Sequence, residues 1–394
     1  MIHLDIFLLI VSTLKQLPFF CKRGLKGKLF LCEERLCHNR VHTMNSSADE
    51  TLEKPAKVRI WLAEMRAPFL TAAIVPVILG TCVAWAYSGI FLLDVFLMTL
   101  IAGVFIHIGS NIANDYYDHL SGTDDTNVDF VRPFTGGSRM IQRGWMSPRE
   151  VFAEAMVFFV LGGGIGVYLA YTRGIEVLIL GVIGIGSGFF YTAPPFRFVS
   201  RGYGEVFIGL NFGVLMTLGA FFVQTQILAW EAVVPSIPVA ILITAVLYIN
   251  EFPDHDADRD AGKRTIVVRL GRQRAAKGYA VLMISLYLSM LIPILLNLVS
   301  WYTILGVATL PIAVLATRTA LTHYDQPLPL TPAYASTVAN HLFTGLFLAW
   351  SYVMIGLGRE PICVLIWGIV CITIASGFYI FTEKKAKAAA LPHD

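Results

Sequence analysis

Two short runs of acidic and amide side chains carry most of the chemistry this sequence offers. The first reads Ser110-Asn111-Ile112-Ala113-Asn114-Asp115-Tyr116-Tyr117-Asp118 and continues through Gly122 to Asp124 and Asp125. The second reads Asn250-Glu251-Phe252-Pro253-Asp254-His255-Asp256-Ala257-Asp258-Arg259-Asp260. On a helix, positions i, i+4 and i+7 share a face. Asn111, Asp115 and Asp118 have that spacing, and Asp254 and Asp258 are four apart. Each run begins Asn-x-x-x-Asp, with Asn111 before Asp115 and Asn250 before Asp254, the pattern of two similar half-sites facing one cavity. Carboxylate and amide oxygens on one face suit a hard cation. Mg²⁺ takes a few carboxylates and fills its remaining positions with phosphate oxygens and water.

Cations and glycines flank both runs. Arg132, Arg139 and Arg143 follow the first, with Gly136-Gly137 among them, and Lys263 and Arg264 follow the second after Gly262. Guanidinium groups bind phosphate oxygens bidentately, and glycine lets backbone approach closely. Acids, Mg²⁺ and flanking cations are together what a bound diphosphate needs. Arg139 and Arg264 are the better candidates; plain topology signal accounts for many of the others. Tyr191 and Arg197, on either side of Pro194-Pro195, are read as lining the rim of such a site. The prolines also suffice simply to end a helix. His107 sits one turn before Asn111 and deeper. An intramembrane histidine is a functional candidate by default, and a packed, hydrogen-bonded histidine explains it nearly as well.

These runs need elements that hold them at a membrane edge. Only 14% of the 394 residues are charged and 56% are hydrophobic, where a soluble domain carries about 25% charged residues. Mean hydropathy is +0.66. A spanning helix needs roughly 20 apolar residues, and ten stretches qualify, at 68–88, 92–117, 150–171, 175–193, 204–225, 232–252, 277–298, 301–320, 334–356 and 361–381. The acidic runs end the second and sixth, where Pro253 is expected to kink or end the helix. Lys and Arg alternate between connections. Lys54, Lys57, Arg59 and Arg66 precede the first stretch, Arg259 to Arg274 follow the sixth, and Lys384, Lys385 and Lys387 follow the tenth. The connections after the third and ninth hold only Arg173 and Arg359. The positive-inside rule therefore puts both termini and both acidic runs in the cytoplasm, at an inner or plasma membrane.

Residues 1–43 differ in character from the rest, with no small-residue cleavage site. They read as a poorly structured or mis-started extension, with Met44 as the natural start. Residues 44–66 form a polar lead-in, 67–381 the transmembrane domain, and 382–394 a basic cytoplasmic tail. Cys32, Cys37 and His38 match no strong zinc spacing, and a net charge of +3 is too small to suggest a nucleic-acid partner.

At the two acidic runs the sequence resembles the UbiA-type membrane prenyltransferases. Asn114, Asp115 and Asp118 match that family's Asn-Asp-x-x-Asp, and Asp254 and Asp258 match its Asp-x-x-x-Asp, followed by Gly262-Lys263-Arg264-Thr265. One departure is Gly122, where many members carry another Asp; Asp124 comes two residues later. The extended first motif, and Asp258-Arg259-x-x-Gly262-Lys263-x-Thr265, are similar to the quinone-pathway branch that prenylates 1,4-dihydroxy-2-naphthoate. The resemblance implies an all-α membrane bundle of about nine transmembrane helices around a central cavity, with a tenth at the C-terminus as an addition. It implies a polyprenyl diphosphate donor, an aromatic acceptor and Mg²⁺, with the lipid bilayer as surroundings. Asn114, Asp115, Asp118, Asp124, Asp254 and Asp258 would hold metal. Asp115, Asp118, Asp254, Asp258 and Arg139 would act in catalysis. Asn111, Asn114, Tyr191, Arg197, Asn250, Lys263 and Arg264 would bind substrate, and Asp118 or a neighbour would take a proton.

Other readings stay open from the residues alone. Either run taken singly fits a solvated loop. A cation-coupled transporter would place its acids nearer the bilayer midplane, and a CDP-alcohol phosphotransferase would gather them in one compact motif. Within the prenyltransferase family, 4-hydroxybenzoate, homogentisate, a chlorin or a lipid could take the acceptor's place, and no residue specifies tail length or oligomeric state.

Overall fold

The computed structural model describes residues 56–127, 130–132 and 134–390. The expectations for residues 1–43, for Met44 as the start and for residues 391–394 fall outside these. The chain divides between Arg59 and Ile60; of the first unit only residues 56–59 are described, and the second holds the bundle.

A short helix, α1 (Lys57–Glu64), precedes α2 (Thr71–Ser88) and α3 (Leu93–Ser121). A single turn, α4 (Thr123–Thr126), is followed by α5 (Pro148–Arg173) and α6 (Ile175–Phe189). The next span is built in pieces: α7 (Gly204–Ile208), a π segment (Gly209–Leu215) and α8 (Met216–Thr225). Then come α9 (Trp230–Asp260), the short α10 (Ile266–Leu270) and α11 (Arg272–Leu295). A 3-10 stretch (Trp301–Thr309) runs into α12 (Leu310–His323), followed by α13 (Thr331–Gly356) and α14 (Pro361–Ala390). Among the described residues there is no strand.

Nine helical segments among the described residues are long and apolar enough to cross a membrane. Their outer faces carry large apolar side chains left exposed, such as Val160, Tyr171, Val281, Leu295 and Ile369. That is the surface a bilayer covers. The protein is an all-α integral membrane bundle. α2 lies near its centre, packed on α3, α8, α9 and α13. Leu79, Phe221, Leu242, Tyr279 and Tyr334 fill the largest core cluster.

The tenth apolar helix, α6, has only 15 residues, about 22 Å at 1.5 Å per residue against a hydrocarbon core of about 30 Å. It nevertheless counts as a crossing. Asp118 at the end of α3 and Lys263 just after α9 are 2.6 Å apart. The chain between them starts and finishes on one side of the bundle, so it crosses an even number of times. α5, the α7–α8 span and α9 supply three of the crossings, and α6 supplies the fourth. The shortened element is therefore α6, and the C-terminal helix is a full-length span.

Both acidic helices run past the ends expected from hydropathy, α3 to Ser121 and α9 to Asp260. Pro253 does not end α9. Proline removes one donor, and Arg272 braces the turn around it, donating to the Phe252 carbonyl at 3.0 Å and to Asp256 Oδ2 at 3.0 Å. Glycine sets the limits instead: Gly122, at φ 77°, caps α3 directly after its acidic run. α5 begins at a capping box in which Ser147 accepts from the Glu150 N–H and Glu150 accepts from the Ser147 N–H. α14 continues to Ala390, into the segment read as a tail, since its Lys- and Ala-rich sequence favours helix.

Close helix approach depends on glycine at several places, and Gly213 and Gly80 meet neighbouring backbone most closely. A methyl group on Gly213 would come within 2.3 Å of Ala240 Cα, and one on Gly80 within 2.2 Å of the Thr217 carbonyl oxygen. Overpacking costs about 1–3 kcal/mol or more. Gly213→Val should therefore lower the melting temperature in detergent by several degrees, while Gly181→Val, which faces open space, should leave it unchanged. Equal melting curves for the two variants would contradict this packing.

Candidate active site

Because α3 and α9 stay helical through their acidic runs, the side chains of each point along one face. The two faces meet across a single cavity of about 200 Å³. Asn111, Asn114, Asp118 and Asp124 line it from the first run, and Asn250, Asp254 and Asp258 from the second. Lys263 and Tyr191 complete this wall. Away from the acids the lining turns apolar, with Phe69, Ile208, Phe212, Ile243, Val246 and Leu247.

Lys263 joins the two runs. Its ammonium, 7% exposed, donates to Asp118 Oδ1 at 2.6 Å and lies 3.5 Å from Asp258 Oδ1. Burial alone would lower its pKa; Asp118 and Asp258 outweigh burial and hold it above the usual lysine range. Asn114 donates its amide to Asp118 Oδ2 at 3.0 Å. Asn127, just beyond α4, reaches across and donates to Asp254 Oδ1 at 2.7 Å. Burial, with Asp118 and Asp115 nearby, pushes the Asp124 carboxyl up to about 8. The Asn250 side-chain oxygen and the Asn111 side-chain nitrogen are buried without partners.

Four expected site residues stand off the cavity wall. Asp115 is 3% exposed and turns towards the following loop, where its Oδ2 accepts from the Ser138 N–H at 2.9 Å. Gly137 makes room for it: a methyl group there would sit 2.8 Å from Asp115 Oδ1. Asp115 Oδ2 thereby anchors the Gly136-Gly137-Ser138 turn, while Oδ1 is left without a hydrogen-bond partner, 3.9 Å from Arg66 of the cavity wall. Arg139 stacks over Phe130 at 4.4 Å and donates to the Asn127 carbonyl at 3.3 Å, so it braces this loop from behind. Arg264 and Arg197 are exposed and line no part of the cavity. For Arg264 the cause is its backbone, which is tied to Ser200 and to Arg269 and turns the side chain outward.

The structure adds residues that spacing did not reveal. Arg66 lines the cavity, 3.9 Å from Asp115 Oδ1. In the sequence it looked like one more cation of the lead-in. Asn127 lies outside both motifs, and only its position beside Asp254 marks it. Behind Asp115, Glu64 is fully buried, and burial together with Asp115 raises its carboxyl to about 8. His107 lines the cavity with its ring edge-on to Phe212, at 4.7 Å between centroids.

The model of the UbiA prenyltransferase family matches residues 73–335. The chain belongs to this family. It is a membrane prenyltransferase, and it resembles the family's dihydroxynaphthoate branch. The 2-carboxy-1,4-naphthoquinone phytyltransferase of Synechocystis sp. is 31% identical over 306 residues, 77% of this chain and 96% of that protein. The 1,4-dihydroxy-2-naphthoate octaprenyltransferase of Escherichia coli is 30% identical over 305 residues, 75% of this chain and 96% of that protein. A solved structure of a UbiA homolog from Archaeoglobus fulgidus bound to DMAPP and Mg²⁺ shares the fold at a TM-score of 0.51 and 18% identity, covering 74% of this chain and 99% of that one.

Removing one partner of a buried ion pair costs about 3–5 kcal/mol. In this UbiA prenyltransferase, Lys263→Met should lower stability by an amount of that order. Arg264→Met should stay within about 0.5 kcal/mol of wild type, as surface changes do. Thermal unfolding in detergent compares them, and similar losses would contradict the placement of the two side chains.

Proposed function

We propose that this prenyltransferase moves a polyprenyl group from its diphosphate onto 1,4-dihydroxy-2-naphthoate, with Mg²⁺ at the two acidic runs, in menaquinone-type quinone biosynthesis. The observation that carries the reading is the meeting of both runs at one cavity that is also lined by Phe69, Ile208, Phe212, Ile243, Val246 and Leu247. A diphosphate head and a hydrocarbon tail need both kinds of lining. The named activities of the Synechocystis and Escherichia coli relatives support the acceptor.

The residues fit Mg²⁺ by donor chemistry. Asn114, Asp118, Asp124, Asp254 and Asp258 present hard oxygens to one cavity, and the unpartnered Asn250 oxygen adds another. Phosphate oxygens and water would complete the coordination. When bound, Mg²⁺ supplies positive charge to the departing diphosphate. Lys263 adds a fixed ammonium at the same place, stabilising charge as the carbon–oxygen bond breaks. Phe69, Phe212 and Ile243 hold the allylic cation away from water that would quench it. Arg66 is the lining guanidinium available to an acceptor carboxylate. The ring attacks the cation, and the carboxylate leaves as CO2, its C–C bonding electrons restoring the aromatic ring.

The acidic mouth is proposed to open to the cytoplasm, on the strength of the Lys and Arg clusters in the connections on that side. A cysteine replacing Gly262, in a background without native cysteines, should react with a membrane-impermeant maleimide in inverted vesicles and not in right-side-out ones. The reverse pattern would overturn the orientation.

Incubated with geranylgeranyl diphosphate, Mg²⁺ and 1,4-dihydroxy-2-naphthoate, the purified enzyme should form prenylated product detectable by mass spectrometry. Asp118→Asn and Asp254→Asn should each reduce the rate by about 100-fold or more, the scale of losing a charge-stabilising group, and EDTA should abolish it. Product with 4-hydroxybenzoate alone would overturn the acceptor.

A further inference from the structure

The cavity wall holds one carboxylate that neither acidic motif accounts for. Glu251 lies on α9 one turn before Asp254 and two turns before Asp258, so the three share a helix face. It lines the cavity and is 5% exposed, and neither of its carboxylate oxygens has a hydrogen-bond partner. The Glu205 carboxyl of α7 lies within hydrogen-bonding reach. Glu205 accepts from the Ile266 N–H at 2.6 Å through Oε1 and leaves Oε2 unpartnered too, and two unprotonated carboxylates offer each other only acceptors. Tyr191 lines the same cavity. A buried carboxylate without donors is costly, and here it faces a space made for ligand.

Its depth suggests which ligand. α9 runs towards the acidic mouth, and three residues of helix rise about 4.5 Å. Glu251 is therefore about that much deeper than Asp254. With a diphosphate at the acidic runs, this level holds the carbon attached to the leaving oxygen, and the aromatic nucleophile must stand beside it. The polar groups such a ring brings are hydroxyls, which donate hydrogen bonds.

We propose that Glu251 accepts a hydrogen bond from a ring hydroxyl of the aromatic acceptor, and so selects hydroxyarenes and fixes the ring against the allylic carbon. This rests on the prenyl-transfer reading of the cavity, but not on which hydroxyarene is used.

The test compares Glu251→Gln and Glu251→Leu with wild type, using 1,4-dihydroxy-2-naphthoate and its two mono-O-methyl ethers, each of which has lost one donor. Wild type should show KM about tenfold or more higher for one ether, since leaving a buried polar group unsatisfied is costly. In Glu251→Leu the acceptor's KM should rise by a similar factor and the discrimination between acceptor and ether should vanish, the non-additivity of groups in contact. Glu251→Gln, which keeps one carbonyl oxygen, should lie between, and it carries the comparison alone should the leucine variant not fold. KM for geranylgeranyl diphosphate should change by less than about twofold, because a merely structural role would move both substrates together. Discrimination that survives in both variants, wild type that does not discriminate, or donor and acceptor KM rising equally would overturn the inference. The prenyl-transfer reading is judged separately, by product formation in wild type. Should wild type use 4-hydroxybenzoate instead, the same comparison is made with that acid and its methyl ether.

Discussion

Several carboxylates gathered at one buried cavity repel one another, and that end of the bundle can close only around positive charge. Lys263 supplies it from within the chain, set between Asp118 and Asp258. The backbone is arranged to deliver it there. α9 stops at Asp260, Gly262 turns at φ 78°, and the Lys263 N–H folds back onto the Asp258 carbonyl at 2.8 Å. The same contact fixes the topology, because it brings the ends of α3 and α9 to one side and so makes the short α6 a crossing. Removing a charge from water is expensive, and pairing offsets the cost only with good geometry. The 2.6 Å bond, and the Asn114 amide on the other Asp118 oxygen, provide that geometry.

The half of the bundle away from the acids is held differently. Tyr279 bonds Thr337 at 2.6 Å, and Tyr287, Thr309, Thr344 and Asn340 form a chain of bonds linking α11, the 3-10 stretch and α13. Apolar burial gives helices little reason to associate in lipid, so side-chain bonds and close packing set their positions. α13 in turn packs on α2 and α9, which ties this half to the helix bearing Asp254 and Asp258.

The helices and the two motifs were legible in the sequence because each depends on local pattern: apolar length for the spans, and i, i+4 spacing for the faces. Pro253 sits inside α9 rather than ending it, because Arg272, distant in sequence, braces the turn around it. Asp115 shows the limit of spacing. Its register puts it with Asn111 and Asp118, yet one of its oxygens is taken by the backbone N–H of Ser138. Arg264, a cation next to Lys263 in sequence, projects the other way from a turn and is exposed. Arg66 and Asn127 had no local signal, and Glu251 shares a face with Asp254 and Asp258 without belonging to either motif. Arg66 belongs to a run of lead-in cations, Asn127 meets Asp254 across 127 positions of chain, and Glu251 is set apart by the partners it lacks.

The central claim is that the acidic runs act as one site on one diphosphate. The direct measurement is binding of a non-ionisable geranylgeranyl diphosphate analogue with Mn²⁺ in place of Mg²⁺, followed by electron paramagnetic resonance, in wild type, Asp118→Asn, Asp254→Asn and the double variant. A shared site predicts that analogue and metal bind together, that either substitution weakens both, and that the double variant loses far less than the sum of the two single losses. Metal binding indifferent to the analogue, or losses that simply add, would contradict it.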